Sequence, residues 1–345
     1  MRTCRLLGDA MIKNWLRKLV RDDNRQDACL RHRVYGEVLP PWYNLSATMT
    51  SAIPDVYNAA GEKLDMYFIR DRHTAHNPYS IDAPPSHWLW DRYNFGLKTH
   101  FYSHFEMLHT MGRPDRRFGM FNESRAITPE SYGIFDYHPG LEKDFDLIFT
   151  YDSNLLEHLD NARFVPFAAA PWYGTENDGG TLDDCVWQKK SKNVSIVSSD
   201  KQKCDLHKYR LQLALDCKRD SLADTYGTFD GGDYVKHYAD VLTDYRYSIV
   251  IENDITPCYF SERLTSAFAA MTIPIYCGAD RIADYFNEDG IIKIRPGDDI
   301  RKIVAQCSEK DYLSRLPAMQ DNFRRALQYR NVWDWMYEKY LWDVK

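Results

Sequence analysis

The run Tyr245–Asp280, YRYSIVIENDITPCYFSERLTSAFAAMTIPIYCGAD, decides the fold. Tyr247–Ile251 is an apolar, β-branched stretch of the kind that forms a buried parallel strand. It ends at Glu252-Asn253, and a turn containing Pro257 follows. Ser261 is a good helix N-cap, and from Glu262 to about Ala270 the residues Leu264, Ala267, Phe268 and Met271 recur at helical spacing. Ile273–Cys277 is again strand-like. Strand, helix and strand joined by short connections make a βαβ unit, hence a parallel sheet covered by helices.

The pattern extends in both directions. Upstream come a strand at Val194–Val197, a helix over Leu206–Cys217, a short strand at Tyr226–Phe229 and, after Gly231-Gly232, a helix over Val235–Leu242. Downstream the pattern predicts a helical turn at Ile282–Phe286, a strand at Ile291–Ile294 and helices through much of 298–340. Parallel sheets bind ligands beyond the carboxyl ends of their strands, so loops 198–205, 230–233, 252–261 and 278–281 hold the candidate site. Residues 1 to about 185 are more irregular, with strand-like runs at 64–70, 116–121 and 146–150. The polar, glycine-rich Gly174–Asp184 reads as a domain linker or a surface loop. The expected division is therefore 1–185, 186–330 and a C-terminal helical segment 331–345.

At the start of the 262–270 helix, unpaired backbone N–H groups and the positive end of the helix dipole attract anions. Arg263 adds a full charge, Glu262 can accept hydrogen bonds from sugar hydroxyls, and Asn253 and Tyr259 offer further polar contacts. This suits the ribose and diphosphate of a sugar nucleotide. The same residues also fit a capped helix with a first-turn carboxylate and a surface cation.

Composition narrows the classes. The 345 residues carry 44 Lys+Arg against 50 Asp+Glu, a net charge of −6, which disfavours general nucleic-acid binding. The 44% hydrophobic and 27% charged shares are those of a globular chain. Tyr, Phe and Trp make up 14%, which suits either stacking on sugars or core packing. Eight cysteines without CxxC or zinc-ligand spacing read as reduced thiols. No apolar stretch spans a membrane, and the basic N-terminus lacks the apolar core of a signal peptide; it reads as a docked helix, ahead of the alternative that Leu16, Leu19 and Val20 touch a membrane surface. The expectation is a soluble cytoplasmic protein. There is no GxGxxG, P-loop, HExxH or GxSxG. Asp183-Asp184 reads as a solvated loop, and His73 and His76 as loop residues.

The run 245–280 resembles the signature of the α-1,3-fucosyltransferases of glycosyltransferase family 10. That signature has an aromatic, Glu-Asn, a Tyr-x-Thr-Glu-Lys run, an apolar helix and then Ile-Pro-Ile-Tyr-Trp-Gly. Here stand Tyr247, Glu252-Asn253, Tyr259–Arg263 and Ile273–Gly278. Val194–Ser199 followed by Arg210 is similar to the family's strand, serine loop and donor-binding arginine. Phe121-Asn122-Glu123-Ser124 is similar to the region that carries the family's catalytic base, with Arg125 where the family has proline; Glu130 is the reserve. Ser261, Arg263 and Cys277 replace the family's Thr, Lys and Trp.

The resemblance implies an α/β GT-B fold, with two Rossmann-like domains and parallel sheets facing a central cleft. It implies inverting transfer of L-fucose from GDP-fucose to a hydroxyl of a glycan acceptor. Glu123 would serve as base, and Arg210, Asn253, Tyr259, Glu262 and Arg263 would bind the donor. No metal is obligatory. Trp42, Trp88, Trp90 and Trp172 are among the aromatics available to stack on acceptor sugars. The alternatives are another nucleotide-sugar donor, or a glycan- or nucleotide-binding protein without turnover.

Overall fold

A computed structural model describes residues 57–71, 86–91, 96–175 and 177–342. The expected N-terminal helix, Trp42, His73 and His76 lie outside these. Two compact units are present, Met1–Val165 with Trp333–Lys345, and Pro166–Val332.

The first unit holds β1 (Asp65–Arg70), β2 (Trp88–Asp91), β3 (Thr99–Ser103), β4 (Arg116–Met120), β5 (Leu147–Thr150) and β6 (Ala162–Phe164). They form one parallel sheet in the order β2-β1-β3-β4-β5-β6. Short helices α1 (Pro129–Tyr132), α2 (Ile134–Tyr137) and α3 (Ser153–His158) accompany it. The high aromatic content is largely explained here. Trp88, Tyr67, Phe101, Phe118 and Phe149 run across the strands with ring centroids 5.0–5.8 Å apart. Trp88 and Trp90 are therefore core residues, 0% and 2% exposed, and are unavailable for stacking on a sugar. Phe68, Tyr102, Met107, Phe121 and Tyr132 belong to a second apolar cluster.

The second unit holds β7 (Lys192–Val197), α4 (Asp205–Arg219), β8 (Asp224–Tyr226), β9 (Tyr245–Ile251), α5 (Glu262–Ala269), β10 (Ile273–Cys277), β11 (Ile292–Lys293), α6 (Ile300–Gln306) and α7 (Glu309–Leu327). Its sheet is also parallel throughout, in the order β11-β10-β9-β7-β8. Each unit is thus a Rossmann-like α/β layer, as expected. Chain order reverses between β1 and β3 in one sheet and between β7 and β9 in the other; at such switch points adjacent loops diverge and leave a crevice.

Several expectations needed correction. The strand expected at Tyr226–Phe229 is Asp224–Tyr226, because Gly227 turns out of the ladder at φ +106°. The expected helix over Val235–Leu242 is only a 3-10 turn at Tyr238–Val241. Its buried residues, Ala239, Val241 and Leu242, do not form a stripe at helical spacing. The turn at Ile282–Phe286 is likewise one 3-10 turn, Ile282–Asp284, and only Ile292–Lys293 of Ile291–Ile294 pairs as strand.

The compact units divide at 165/166, so the glycine-rich 174–184 segment lies inside the second. There it is tied down: Asp178 accepts from Gly180, and its carbonyl accepts from the Ala239 N–H. The last helix, α8 (Val332–Tyr340), packs with the first unit. Trp333 sits against Trp88 and Trp90, Asp334 accepts from Ser86, the Tyr337 hydroxyl donates to Asp65, and that of Tyr340 to the Phe164 carbonyl.

Candidate functional site

The switch point of the second sheet opens into a pocket of about 340 Å³. Ser198 and Ser199 follow β7, Gly227 follows β8, Arg210 reaches in from α4, and Arg263 from the first turn of α5. A Cβ on Gly227 would stand 1.9 Å from the Ser198 carbonyl oxygen, so only glycine lets these two loops approach. Lys201 joins the two arginines, and no carboxylate is part of the lining. Three cations on one concave wall, at strand ends, favour an anionic ligand.

Arg210 is buried, and its Nη1 donates to the Ile251 carbonyl at 2.8 Å. Burial, with Arg263 nearby, pushes its pKa down to about 10, still well above neutrality. One turn earlier, His207 Nε2 meets Asn253 Oδ1 at 2.9 Å. Burial, and then Arg210, push this imidazole down to about 4, so it is neutral at pH 7. The amide oxygen can only accept, so a neutral His207 carries its proton on Nε2. His207 Nδ1 is buried with no hydrogen-bond partner.

At the start of α5, Ser261 is the N-cap, and its Oγ accepts from the Arg263 N–H at 3.3 Å. Behind it lies Glu252, which is 0% exposed. Glu252 accepts from the Ser261 backbone N–H at 2.9 Å and from the Ser261 hydroxyl at 2.5 Å. Burial raises the Glu252 carboxyl to about 7, with Arg263 and the Ser261 bonds pulling the other way. Burial is the largest influence and works against the Arg263 charge, but Glu262, 3.2 Å away, together with Tyr238, Glu252 and Tyr259, holds the guanidinium above its ordinary range.

Of the expected donor residues, Arg210 and Arg263 line the pocket together. Glu262 reaches it indirectly, through Arg263, whereas Asn253 pairs with His207, and neither of these two is in the lining. Tyr259 is buried outside the lining, at 2% exposure. Three aromatics complete the wall. Trp172 is half exposed and meets Tyr238 edge to face at 5.2 Å, and Tyr234 is exposed. Tyr234 and Tyr238 had no signal beyond proximity to Gly231-Gly232, and Trp172 lies far away in sequence.

In the first unit Glu123 follows β4. Its Oε1 accepts from the Ser124 N–H at 2.8 Å, and its carbonyl accepts from the Tyr132 hydroxyl at 2.5 Å. Its N–H donates to His104 Nε2 at 3.3 Å, and His104 Nδ1 lies 2.7 Å from Ser131 Oγ. His104 adopts φ +48°, an uncommon backbone for a residue with a side chain. Ser103 donates to Asp71, which places both at the β1/β3 switch point beside Glu123's loop. Arg125 forks onto Asp152 with two 2.8 Å bonds and stacks on Tyr132 at 4.5 Å. The reserve residue Glu130 is exposed on α1.

Asp183, Asp184 and Cys185 are the one group among the described residues with metal-ligand types gathered together. All three are exposed, and Asp183 already caps the Cys185 N–H at 2.8 Å. The six described cysteines are free thiols. No helix among the described residues is long and apolar enough to cross a membrane.

Residues 187–342 match the family model described as glycosyltransferase family 10 (fucosyltransferase) C-term. No curated protein matches the chain. Among solved structures, an alpha1,3-fucosyltransferase with GDP is similar at 15% identity and TM-score 0.46, covering 88% of this chain and 96% of that one. The alpha1,3-fucosyltransferase with GDP-fucose gives 13% identity and TM-score 0.44, over 83% and 94%. TarM gives 12% and 0.46, over 70% of this chain and 53% of its own.

Proposed function

With residues 187–342 matching the C-terminal domain of glycosyltransferase family 10, we propose that this glycosyltransferase moves L-fucose from GDP-fucose to a hydroxyl of an acceptor glycan, with inversion at the anomeric carbon. The observation that carries the donor side is the pocket of Arg210, Arg263 and Lys201, which has no carboxylate in its lining. A diphosphate leaving group gains negative charge as its bond to the sugar breaks. The cations already line the wall that would face that charge, so they stabilise the transition state with little reorganisation. Arg263 offers a planar fork for two phosphate oxygens, where lysine would be a point charge. Tyr238 and Trp172 present ring surface for the nucleoside.

Glu123 acts as general base in this reading. One carboxylate oxygen is held by the Ser124 N–H, which orients the other toward the attacking hydroxyl. Ionised carboxylate is the working form. The metal-independent character of the reading rests on the three cations taking the role of a divalent ion.

A thermal-shift panel of nucleotide sugars tests the donor. GDP-fucose is expected to raise the Tm most, since a ligand bound only by the folded state stabilises it by mass action. A larger shift with a uridine or adenosine nucleotide sugar would replace the donor and keep the enzyme class. A shift with GDP-fucose but no sugar transfer to any glycan acceptor would leave a binding protein.

A further inference from the structure

We propose that Glu252 is a positioning residue for nucleotide binding: acting through Ser261, it sets the guanidinium of Arg263 in the pocket. The inference rests on the donor reading above and adds a residue that does not itself line the pocket.

The hydrogen-bond directions carry the argument. The Glu252 carboxylate can only accept, and it takes both the backbone N–H and the hydroxyl proton of Ser261. Ser261 Oγ is thereby left with two lone pairs facing away from Glu252. Both meet Arg263, whose backbone N–H lies at 3.3 Å and whose Nη1 lies at 3.4 Å. Every donor in the chain Arg263, Ser261, Glu252 therefore points inward, and the relay is fully matched. The position of the carboxylate is itself enforced. A Cβ on Gly278 would stand 2.5 Å from Glu252 Cγ and 2.3 Å from the Tyr276 hydroxyl, so the following strand leaves room for this side chain only because residue 278 is glycine. The Glu252 backbone N–H is also anchored, to the Cys277 carbonyl at 2.9 Å.

A buried carboxylate costs desolvation energy, and here it lies among Arg263, Glu262, Arg210 and the hydroxyl of Tyr276. A role in packing alone would be served better by a neutral side chain of the same shape. Glutamine at 252 is that side chain. It has one acceptor oxygen for two Ser261 donors, and its NH2 group competes with Arg263 for the Ser261 lone pairs.

The test is nucleotide binding and stability measured together on the full chain. Glu252→Gln is expected to melt no lower than wild type at pH 8, because a buried charge is gone, yet to bind GDP about tenfold more weakly, the scale of one lost charge-assisted hydrogen bond. The sign discriminates. Removing a negative charge behind the pocket would by field alone tighten an anion, so weaker binding reports lost orientation, whereas unchanged or tighter GDP binding overturns the proposal. Ser261→Ala should weaken GDP in the same way, and Ser261→Thr, which keeps the hydroxyl, should restore it. A crystal structure of Glu252→Gln separates this from the donor reading. If wild type binds neither GDP nor UDP, the donor reading fails, and the relay is then judged by Arg263 alone. An Arg263 guanidinium displaced from Ser261 upholds the relay, and an unmoved one overturns it.

Discussion

The proposed chemistry rests on single side chains near both switch points. Glu123→Gln keeps size and hydrogen bonding but removes the proposed base, so kcat should fall at least about a hundredfold while GDP binding stays within about twofold, measured by single-turnover transfer and titration calorimetry. Arg263→Ala should do the reverse in emphasis, weakening GDP by about tenfold or more, because a charge-assisted fork is lost. Glu252 makes a pH prediction whose sign follows from its raised carboxyl. The folded state binds this proton more tightly than the unfolded chain does, so the group's stabilising contribution is present below about 4.5 and is lost as pH rises through about 7. That is on the order of 3 kcal/mol. His207, held down to about 4, acts in the opposite sense, its contribution present above about 6.5 and lost as pH falls. The Tm of Glu252→Gln minus that of wild type should therefore climb from pH 4.5 to 7 and level off above, which scanning calorimetry across pH would show.

At the scale of elements, the parallel strands were legible because buried strands leave apolar, β-branched runs. Tyr247–Ile251 and Ile273–Cys277 coincide with β9 and β10 to within two residues. The cap at Ser261 was legible for the same local reason. The helix expected at 235–242 was not formed, because periodicity in eight residues cannot reveal that Val235 and Tyr238 face a pocket. β2, β3 and β6 escaped sequence reading since they are short, and β2 and β3 bury Trp and His in place of an apolar, β-branched run. Gly227→Ala is the element-level test. Positive φ and the contact with the Ser198 carbonyl both oppose a side chain, so a loss of about 2–4 kcal/mol in chemical denaturation is expected, together with loss of GDP binding.

At the scale of the molecule, the two units each carry a parallel sheet with a switch point; of the expected site residues, Glu123 lies in a loop beside one and Arg210 and Arg263 line the other, while Asn253, Tyr259 and Glu262 stay outside the lining. The chain runs from one unit to the other and returns through α8. Trp333 bridges Trp88 and Trp90 and accepts from the Trp88 indole at 3.2 Å. Trp333→Ala should therefore lower the stability of the first unit by about 3 kcal/mol, read as earlier hydrogen exchange in β1–β3 with β7–β10 unchanged.

The sequence by itself determined the α/β class, the order of the strands from 190 to 300 and the placing of Arg263 in the first turn of a helix capped by Ser261. These are local matters: hydrophobic period, capping chemistry and charge reside in neighbouring residues. Only the tertiary structure decided that Trp172 and Tyr238 share a wall with Arg210, that the last helix belongs to the first unit, and that Glu252 reaches Arg263 through Ser261. Those facts depend on which segments are brought within hydrogen-bonding or van der Waals range, and no periodicity along a chain encodes such a meeting, whether the residues are 11 positions apart, as Glu252 and Arg263 are, or 245, as Trp88 and Trp333 are.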